Sequence, residues 1–167
     1  MPIKDKINKC FKEGQKNQER HKGLKKINIS KETINAHVNK AKHNFKALST
    51  FKETGFSDWS ASAAFYTLYH LLLALLAKYG IGSRNQSCTF AYIEQLIEDK
   101  KLDLTKDELK EIFDKDVSED LAHSNKILDL REKYQYSTKT SFEDEEFNEL
   151  KTRVKQLFDK IRIEIEQ

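Results

Sequence analysis

The segment Ser57–Gly80, SDWSASAAFYTLYHLLLALLAKYG, is the most apolar stretch of the chain. Between Ala61 and Ala77 it contains few polar groups, which are Ser62, Thr67, His70 and the hydroxyls of Tyr66 and Tyr69. A helix that is apolar on nearly all sides lies inside a bundle or inside a membrane. A membrane span needs about 20 predominantly apolar residues, and here an imidazole interrupts the run. We therefore expect the central helix of a soluble bundle and no membrane association.

The ends of this segment carry helix-boundary signals. Ser57 is a suitable N-cap, because its hydroxyl can accept a hydrogen bond from an amide of the first turn. Asp58 would follow in that turn, where the helix dipole favours an anion. Gly80 and Gly82 are expected to end the helix, since glycine adopts the left-handed conformation at little cost.

The rest of the chain predicts an all-α fold. One proline and five glycines in 167 residues leave little turn chemistry for a β protein. Regular amphipathic stripes run from Ile34 to Phe51 and from Phe147 to Ile165. We predict an up-and-down bundle of four to five main helices with short accessory helices. Residues 1–29 would form a basic N-terminal helix or arm, and residues 30–167 the bundle, within a single domain.

Local signals predict the boundaries of the other helices. The N-terminal helix is expected over residues 3–22, and the segments 23–29 and 80–89 are expected to be connections. Thr105 and Glu108 have the spacing of a capping box. Single N-caps are predicted at Ser30, Ser118 and Ser141.

The two cysteines, Cys10 and Cys88, have no paired spacing, and the N-terminus is polar rather than apolar. We predict free thiols in a reducing cytoplasm.

The net charge of +3 conceals an uneven distribution. Residues 1–26 contain nine Lys or Arg and three acids, so this segment carries +6 and the rest of the chain −3. A basic arm of this kind can hold phosphates by releasing counterions. The alternative is a solvated N-terminal helix without a ligand.

The common catalytic signatures are absent from the sequence. It has no phosphate-binding glycine loop, no HExxH and no Cys or His cluster at zinc spacing, so we predict neither a metal site nor a cofactor. The five histidines are scattered, and His70 is expected to be a core residue with a hydrogen-bond partner.

Two polar clusters remain as candidate sites. The first is the polar loop Ser83–Thr89, with Arg84, Asn85 and Gln86, at a helix N-terminus where backbone amides favour anions. The second is Arg131 with Tyr134 and Tyr136, where a guanidinium and two rings could hold a phosphate and a base. The alternative for the loop is a cap with a surface arginine. For the second cluster it is a structural ion pair with tyrosines at the core edge.

Together these motifs resemble the HEPN superfamily, in particular its small stand-alone archaeal and bacterial members. The resemblance rests on Tyr66-x-x-Tyr69-His70 with the Ala/Leu run after it, on the Arg84-Asn85-Gln86-x-Cys88-Thr89 loop, and on Leu130-Arg131 with Tyr136. It implies a helical bundle that commonly forms a homodimer. It also implies a partner of the minimal nucleotidyltransferase type, in a toxin–antitoxin or defence pair. Active members are metal-independent ribonucleases whose signature is an Arg, a polar residue and, beyond a spacer of four to six residues, a His.

The sequence departs from that signature, because no histidine lies five to seven positions after any arginine. By resemblance Arg131 takes the place of the Arg, and Tyr136 takes the place of the His. An ordinary tyrosine has a pKa of about 10 and is a poor general base at neutral pH. Nuclease activity would then be weakened or lost, while RNA or nucleotide binding would remain.

Two functions follow as hypotheses. The first is a HEPN component that binds RNA or nucleotide through Arg131, Arg84, Asn85 and Gln86, with Tyr134, His70 and Tyr66 nearby, and that could also cleave RNA with Arg131 and Tyr136. The second is a non-catalytic module that binds and regulates a nucleotidyltransferase, with Tyr134 and Tyr136 as candidate acceptors of a nucleotide.

Overall fold

The computed structural model, described over residues 1–112 and 137–167, is a helical bundle. Its three long helices are α2 (Lys31–Glu53), α3 (Ser60–Lys78) and α6 (Asp144–Glu166). Shorter helices are α1 (Ile3–Gly14), α4 (Gln86–Glu98) and α5 (Lys106–Ile112), and single 3-10 turns span Gln18–Arg20 and Ser57–Trp59. The prediction of a mostly helical bundle is confirmed. The N-terminal helix is shorter than expected, since it ends at Gly14 and not near residue 22.

Helix α3 forms the centre of the core. Fourteen of its nineteen residues are buried, including its whole run of leucines apart from Leu73. The span Ser57–Lys78 is long and apolar enough to cross a membrane, but 78% of its most apolar window lies buried inside the protein. This is the environment of a core helix in a soluble bundle.

Helices α2 and α6 flank α3 in opposite directions. The start of α3 meets the end of α2, where the Ser60 hydroxyl donates to the Leu48 carbonyl at 2.8 Å. The end of α3 meets the end of α6, where Lys78 Nζ donates to the Glu164 carbonyl at 2.6 Å. Helix α2 therefore runs antiparallel to α3 and α6 runs parallel to it.

A two-stranded antiparallel sheet joins two segments that were predicted to be connections. Strand β1 (Leu24–Lys26) pairs with β2 (Ile81–Ser83), and Leu24 lies opposite Ser83. The left-handed conformation of Gly80, with φ of 74°, ends α3 and turns the chain into β2. Leu24 is fully buried beneath the sheet. Each strand has only three residues, and a segment this short has no sequence pattern from which a strand could be predicted.

The prediction of free thiols is wrong, because Cys10 and Cys88 form a disulfide. Cys10 lies on α1 and Cys88 lies in the first turn of α4, with a sequence separation of 78 and 5.8 Å between their Cα atoms. Both are buried in the contact between these helices. Sequence spacing carries no information on such a bond, since the pairing depends on how α1 docks.

The predicted caps have mixed outcomes. Ser30 caps α2, and Thr105 and Glu108 form the reciprocal bonds of a capping box at 3.0 and 3.1 Å. Ser57 does not cap a helix, because its buried hydroxyl accepts a hydrogen bond from the Phe142 amide at 2.8 Å. Ser141 is also not a cap, since α6 begins after Glu143 without a side-chain bond. Ser118 lies outside the described residues.

Candidate nucleic-acid interface

The Arg84-Asn85-Gln86 loop connects β2 to α4 at one end of the bundle. Asn85 is the N-cap of α4, and its side-chain oxygen accepts from the Cys88 amide at 3.0 Å. Gln86, the first residue of α4, is half-buried. Arg84 is exposed, so its guanidinium faces solvent. The structure therefore gives Asn85 a structural role and leaves Arg84 as the loop's cation for a ligand.

A chain of hydroxyls holds the loop against α3. Tyr69 OH lies 3.2 Å from Thr89 Oγ1, which donates to Ser83 Oγ at 2.7 Å. Ser83 Oγ in turn donates to the Asn85 carbonyl at 3.1 Å. Burial raises the pKa of Tyr69, with a smaller opposing effect of its bond to Thr89. Tyr69 therefore stays a neutral phenol and can keep the loop in place.

The basic N-terminal segment lies beside this loop. The Arg84 amide donates to the Gly23 carbonyl at 3.1 Å, which extends the register of the β1–β2 sheet by one residue. Arg84 is thus opposite Gly23, and residues two apart on a strand share a face. Lys25 is consequently a diagonal neighbour of Arg84, within reach of a long side chain.

The electrostatics of His21 agree with this arrangement. Burial lowers the pKa of His21, and the charges of Lys25 and Arg84 lower it further. Its ring Nδ1 accepts from the Gly23 amide at 3.3 Å, so the neutral ring supports the turn before β1. Lys22 and Lys26 are exposed on either side of Lys25. We call Lys22, Lys25, Lys26 and Arg84 the basic edge.

His70 belongs to a different environment. Its Nδ1 lies 3.3 Å from Nδ1 of His37 on α2, so the pair shares a hydrogen bond across the α2–α3 contact. Burial, together with the charges of His37 and Lys40, lowers the pKa of His70 to about 4. At neutral pH the half-buried ring is therefore uncharged, and it has the hydrogen-bond partner that was expected.

Tyr66 is 41% exposed on α3, and its ring packs edge-on against Phe65 at 5.1 Å between centroids. Tyr69, about one turn further along the helix, contacts Thr89 at the start of α4. Tyr69 belongs to the motif that the sequence shows, but it was not predicted as a site residue. Nothing in the sequence distinguishes which tyrosine faces the loop, since this depends on the rotation of α3.

The second predicted cluster is Arg131 with Tyr134 and Tyr136. Arg131, Tyr134 and Tyr136 all lie outside the described residues. The two clusters therefore stay separate candidates, and the roles given to these three residues stay predictions.

Among the described residues, one further groove contains an arginine, but it is a poorer site for an anion than the basic edge. A shallow groove of about 700 Å³ on α6 contains Arg153. Its guanidinium is held by Glu111 through bonds of 2.6 and 2.7 Å, and Glu145 and Glu149 also line the groove. The groove is thus unsuited to an anion. Within residues 1–112 and 137–167, no three His, Cys, Asp or Glu side chains group in a way that could hold a metal ion.

A comparison with family models decides the classification. The model of the HEPN domain matches residues 34–164 of the 167-residue chain. The chain belongs to the HEPN family. A search of curated proteins found no match. HEPN membership gives the protein a role that is related, in broad terms, to nucleotides or RNA. The matched residues include Arg84 but not Lys25, so β1 and its cations lie outside the HEPN match.

Proposed function

We propose that this HEPN protein binds RNA at the basic edge and acts as one component of a toxin–antitoxin or defence pair. The observation that carries the proposal is the pairing of β1 with β2, which brings cations of the N-terminal segment beside Arg84. The basic segment is thereby part of the folded surface. Lys25 and Arg84 then lie on one face of the sheet, and the exposed Lys22 and Lys26 close to Lys25 in the chain add positive charge near a bound phosphate backbone.

The chemistry of these groups suits single-stranded RNA. Arg84 is exposed and can make two parallel hydrogen bonds to one phosphate. Lys25 contributes a second charge on the same face, although its ammonium also donates to the Gln18 carbonyl at 2.7 Å. Affinity that comes from such contacts falls with salt, with a slope of about 0.7 per phosphate for single strands.

Cleavage is the finer part of this proposal. By the family resemblance, Arg131 would hold the scissile phosphate and Tyr136 would replace the histidine of the ribonuclease signature. Because an ordinary tyrosine is a poor base at neutral pH, we expect metal-independent cleavage to be weak or lost. A homodimer and a cytoplasmic location complete the proposal.

The second candidate is a non-catalytic module for a nucleotidyltransferase partner. The observation that favours it is the missing histidine after each arginine. In this case Tyr134 or Tyr136 would accept a nucleotide from the partner. Incubation with such a partner and ATP would add nucleotide mass to the wild type and none to the Tyr134→Phe/Tyr136→Phe variant. Added mass in both proteins would contradict the assignment.

The binding proposal is tested by titrating a fluorescein-labelled single-stranded RNA at several salt concentrations. Replacing both Lys25 and Arg84 with Ala should lower the salt slope by about 1.4, at about 0.7 per contact. The matched control is Lys46→Ala. Lys46 is an exposed lysine of α2, and it lies far from the start of that helix at Ser30, which is the end close to the sheet. Equal slopes in the double variant and the wild type would remove the basic edge from the site.

Cleavage is tested separately, with purified protein, RNA and a chelator. We expect at most slow cleavage that the Arg131→Ala variant abolishes. Cleavage of the same rate in wild type and Arg131→Ala would refute the predicted role of Arg131 without affecting the basic edge.

A further inference from the structure

Each cysteine of the Cys10–Cys88 disulfide contacts a residue that lies next to the basic edge. The Cys88 amide donates to the side chain of Asn85, which follows Arg84 directly. On the other side, the backbone of Cys10 lies against Gly23, because a Cβ added at Gly23 would come within 2.1 Å of the Cys10 carbonyl oxygen. Gly23 in turn accepts the bond from the Arg84 amide.

Apart from the disulfide, α1 has a small anchor. Only Ile7, Cys10 and Gly14 are buried among its twelve residues. Phe11 adds an edge-on contact with Tyr92 of α4, with 6.2 Å between ring centroids. Several of its remaining side chains are exposed lysines and acids. An N-terminal helix with few buried apolar groups is among the first parts of a protein to open.

Helix α1 and the turn before β1 are packed backbone to backbone. A Cβ at Gly14 would lie 1.8 Å from the Leu24 carbonyl oxygen, so no side chain separates the helix from the strand. Movement of α1 therefore shifts Gly23 and Leu24, and with them the lysines of β1. The covalent bond to Cys88 holds α1, β1 and the Arg84 loop in one arrangement.

We propose that the Cys10–Cys88 pair is a redox latch, which fixes the basic edge when oxidised and releases the N-terminal segment when reduced. The inference rests on the proposed function for its effect on RNA. Disulfides in a reducing cytoplasm are commonly transient and regulatory rather than permanent. A latch of this kind makes phosphate affinity depend on the thiol redox state.

The chemistry is thiol–disulfide exchange with a dithiol reductant. One thiolate of the reductant attacks a sulfur of the pair, which breaks the Cys10–Cys88 bond and forms a mixed disulfide. The second thiol of the reductant displaces the protein sulfur. Two electrons and two protons pass to the protein, which gains two thiols, and the reductant becomes a disulfide. Because both sulfurs are buried, attack requires a partial opening of α1.

The experiment compares oxidised and dithiothreitol-reduced full-length protein in two measurements. Hydrogen exchange should be faster after reduction at the amides of α1, β1 and Arg84, and unchanged at the buried middle of α3. Affinity for the labelled single-stranded RNA should fall about a hundredfold at 0.1 M salt, with a salt slope lower by about 2, as three lysines leave the site. The Cys10→Ser/Cys88→Ser variant should behave as the reduced protein with or without reductant.

Each outcome bears on a separate claim. Equal exchange of α1 in both redox states, or two free thiols after treatment with oxidised dithiothreitol, would overturn the latch. Equal RNA affinity in both states would overturn its link to binding. If neither state binds RNA while α1 is released on reduction, the proposed function fails and the latch stands as a structural device.

Discussion

Replacement of Gly23 with Ala tests the close approach of α1 to β1. A Cβ at this position would lie 2.1 Å from the Cys10 carbonyl oxygen and 2.6 Å from the Gly14 amide nitrogen. Real Cβ atoms essentially never approach closer than 3.0 Å, so the two backbones must separate by about 1 Å. The atoms that clash are backbone atoms, and no side-chain rotation relieves them.

The magnitude follows from two contributions. Overpacking of a tight contact costs about 1–3 kcal/mol. The same displacement pulls the Gly23 carbonyl away from the Arg84 amide, and loss of that hydrogen bond costs about 1 kcal/mol. The Gly23→Ala variant should therefore unfold with about 2–4 kcal/mol less free energy than the wild type.

The assay is urea unfolding of the oxidised protein, followed by far-ultraviolet circular dichroism. Gly55→Ala is the matched control, because Gly55 has a φ of 86° and a Cβ added there would meet no atom within 4 Å. It should cost about 1 kcal/mol from backbone strain alone. If Gly23→Ala destabilises the protein no more than Gly55→Ala does, the backbone contact between α1 and β1 is refuted.

Three further predictions concern the rest of the bundle. The pKa of His70 is lowered to about 4, so the neutral His70 ring stabilises the fold above pH 6.5, and this stabilisation is lost as the pH falls from 6.5 to 4. The free energy of unfolding in urea should therefore depend less on pH over this range in His70→Gln than in the wild type. Ser57→Ala leaves the buried Phe142 amide without its acceptor and should cost about 1–3 kcal/mol, whereas Ser141→Ala, at an exposed position, should change the free energy of unfolding by less than about 0.5 kcal/mol. Thr105→Ala removes one hydrogen bond of the capping box of α5 and should lower the free energy of unfolding, measured by thermal denaturation, by about 1 kcal/mol.

The helices were predictable because their signals are local. The apolar run of α3 and the stripes of α2 and α6 depend on periodicity, and the Ser30 and Thr105 caps depend on spacings of three residues. The contacts that were missed join residues distant in sequence. The sequence around Ser57 predicts a cap, but its partner Phe142 lies 85 residues away.

The site was predictable only in part for the same reason. The charge of residues 1–26 and the Arg84 loop were both visible in the sequence, but nothing in it indicated that they are neighbours. Their contact depends on a three-residue strand and on a disulfide between residues 78 apart. The sequence predicts that Asn85 contacts a ligand, whereas in the structure it caps α4. This difference likewise depends on where α4 begins.

The most direct test of RNA binding at the basic edge is a two-dimensional amide NMR titration of the oxidised protein with short single-stranded RNA. We expect the largest shift changes at the amides of Lys22, Gly23, Lys25 and Arg84, and little change at Lys46. Shift changes confined to other parts of the chain, with these four amides unaffected, would contradict the account.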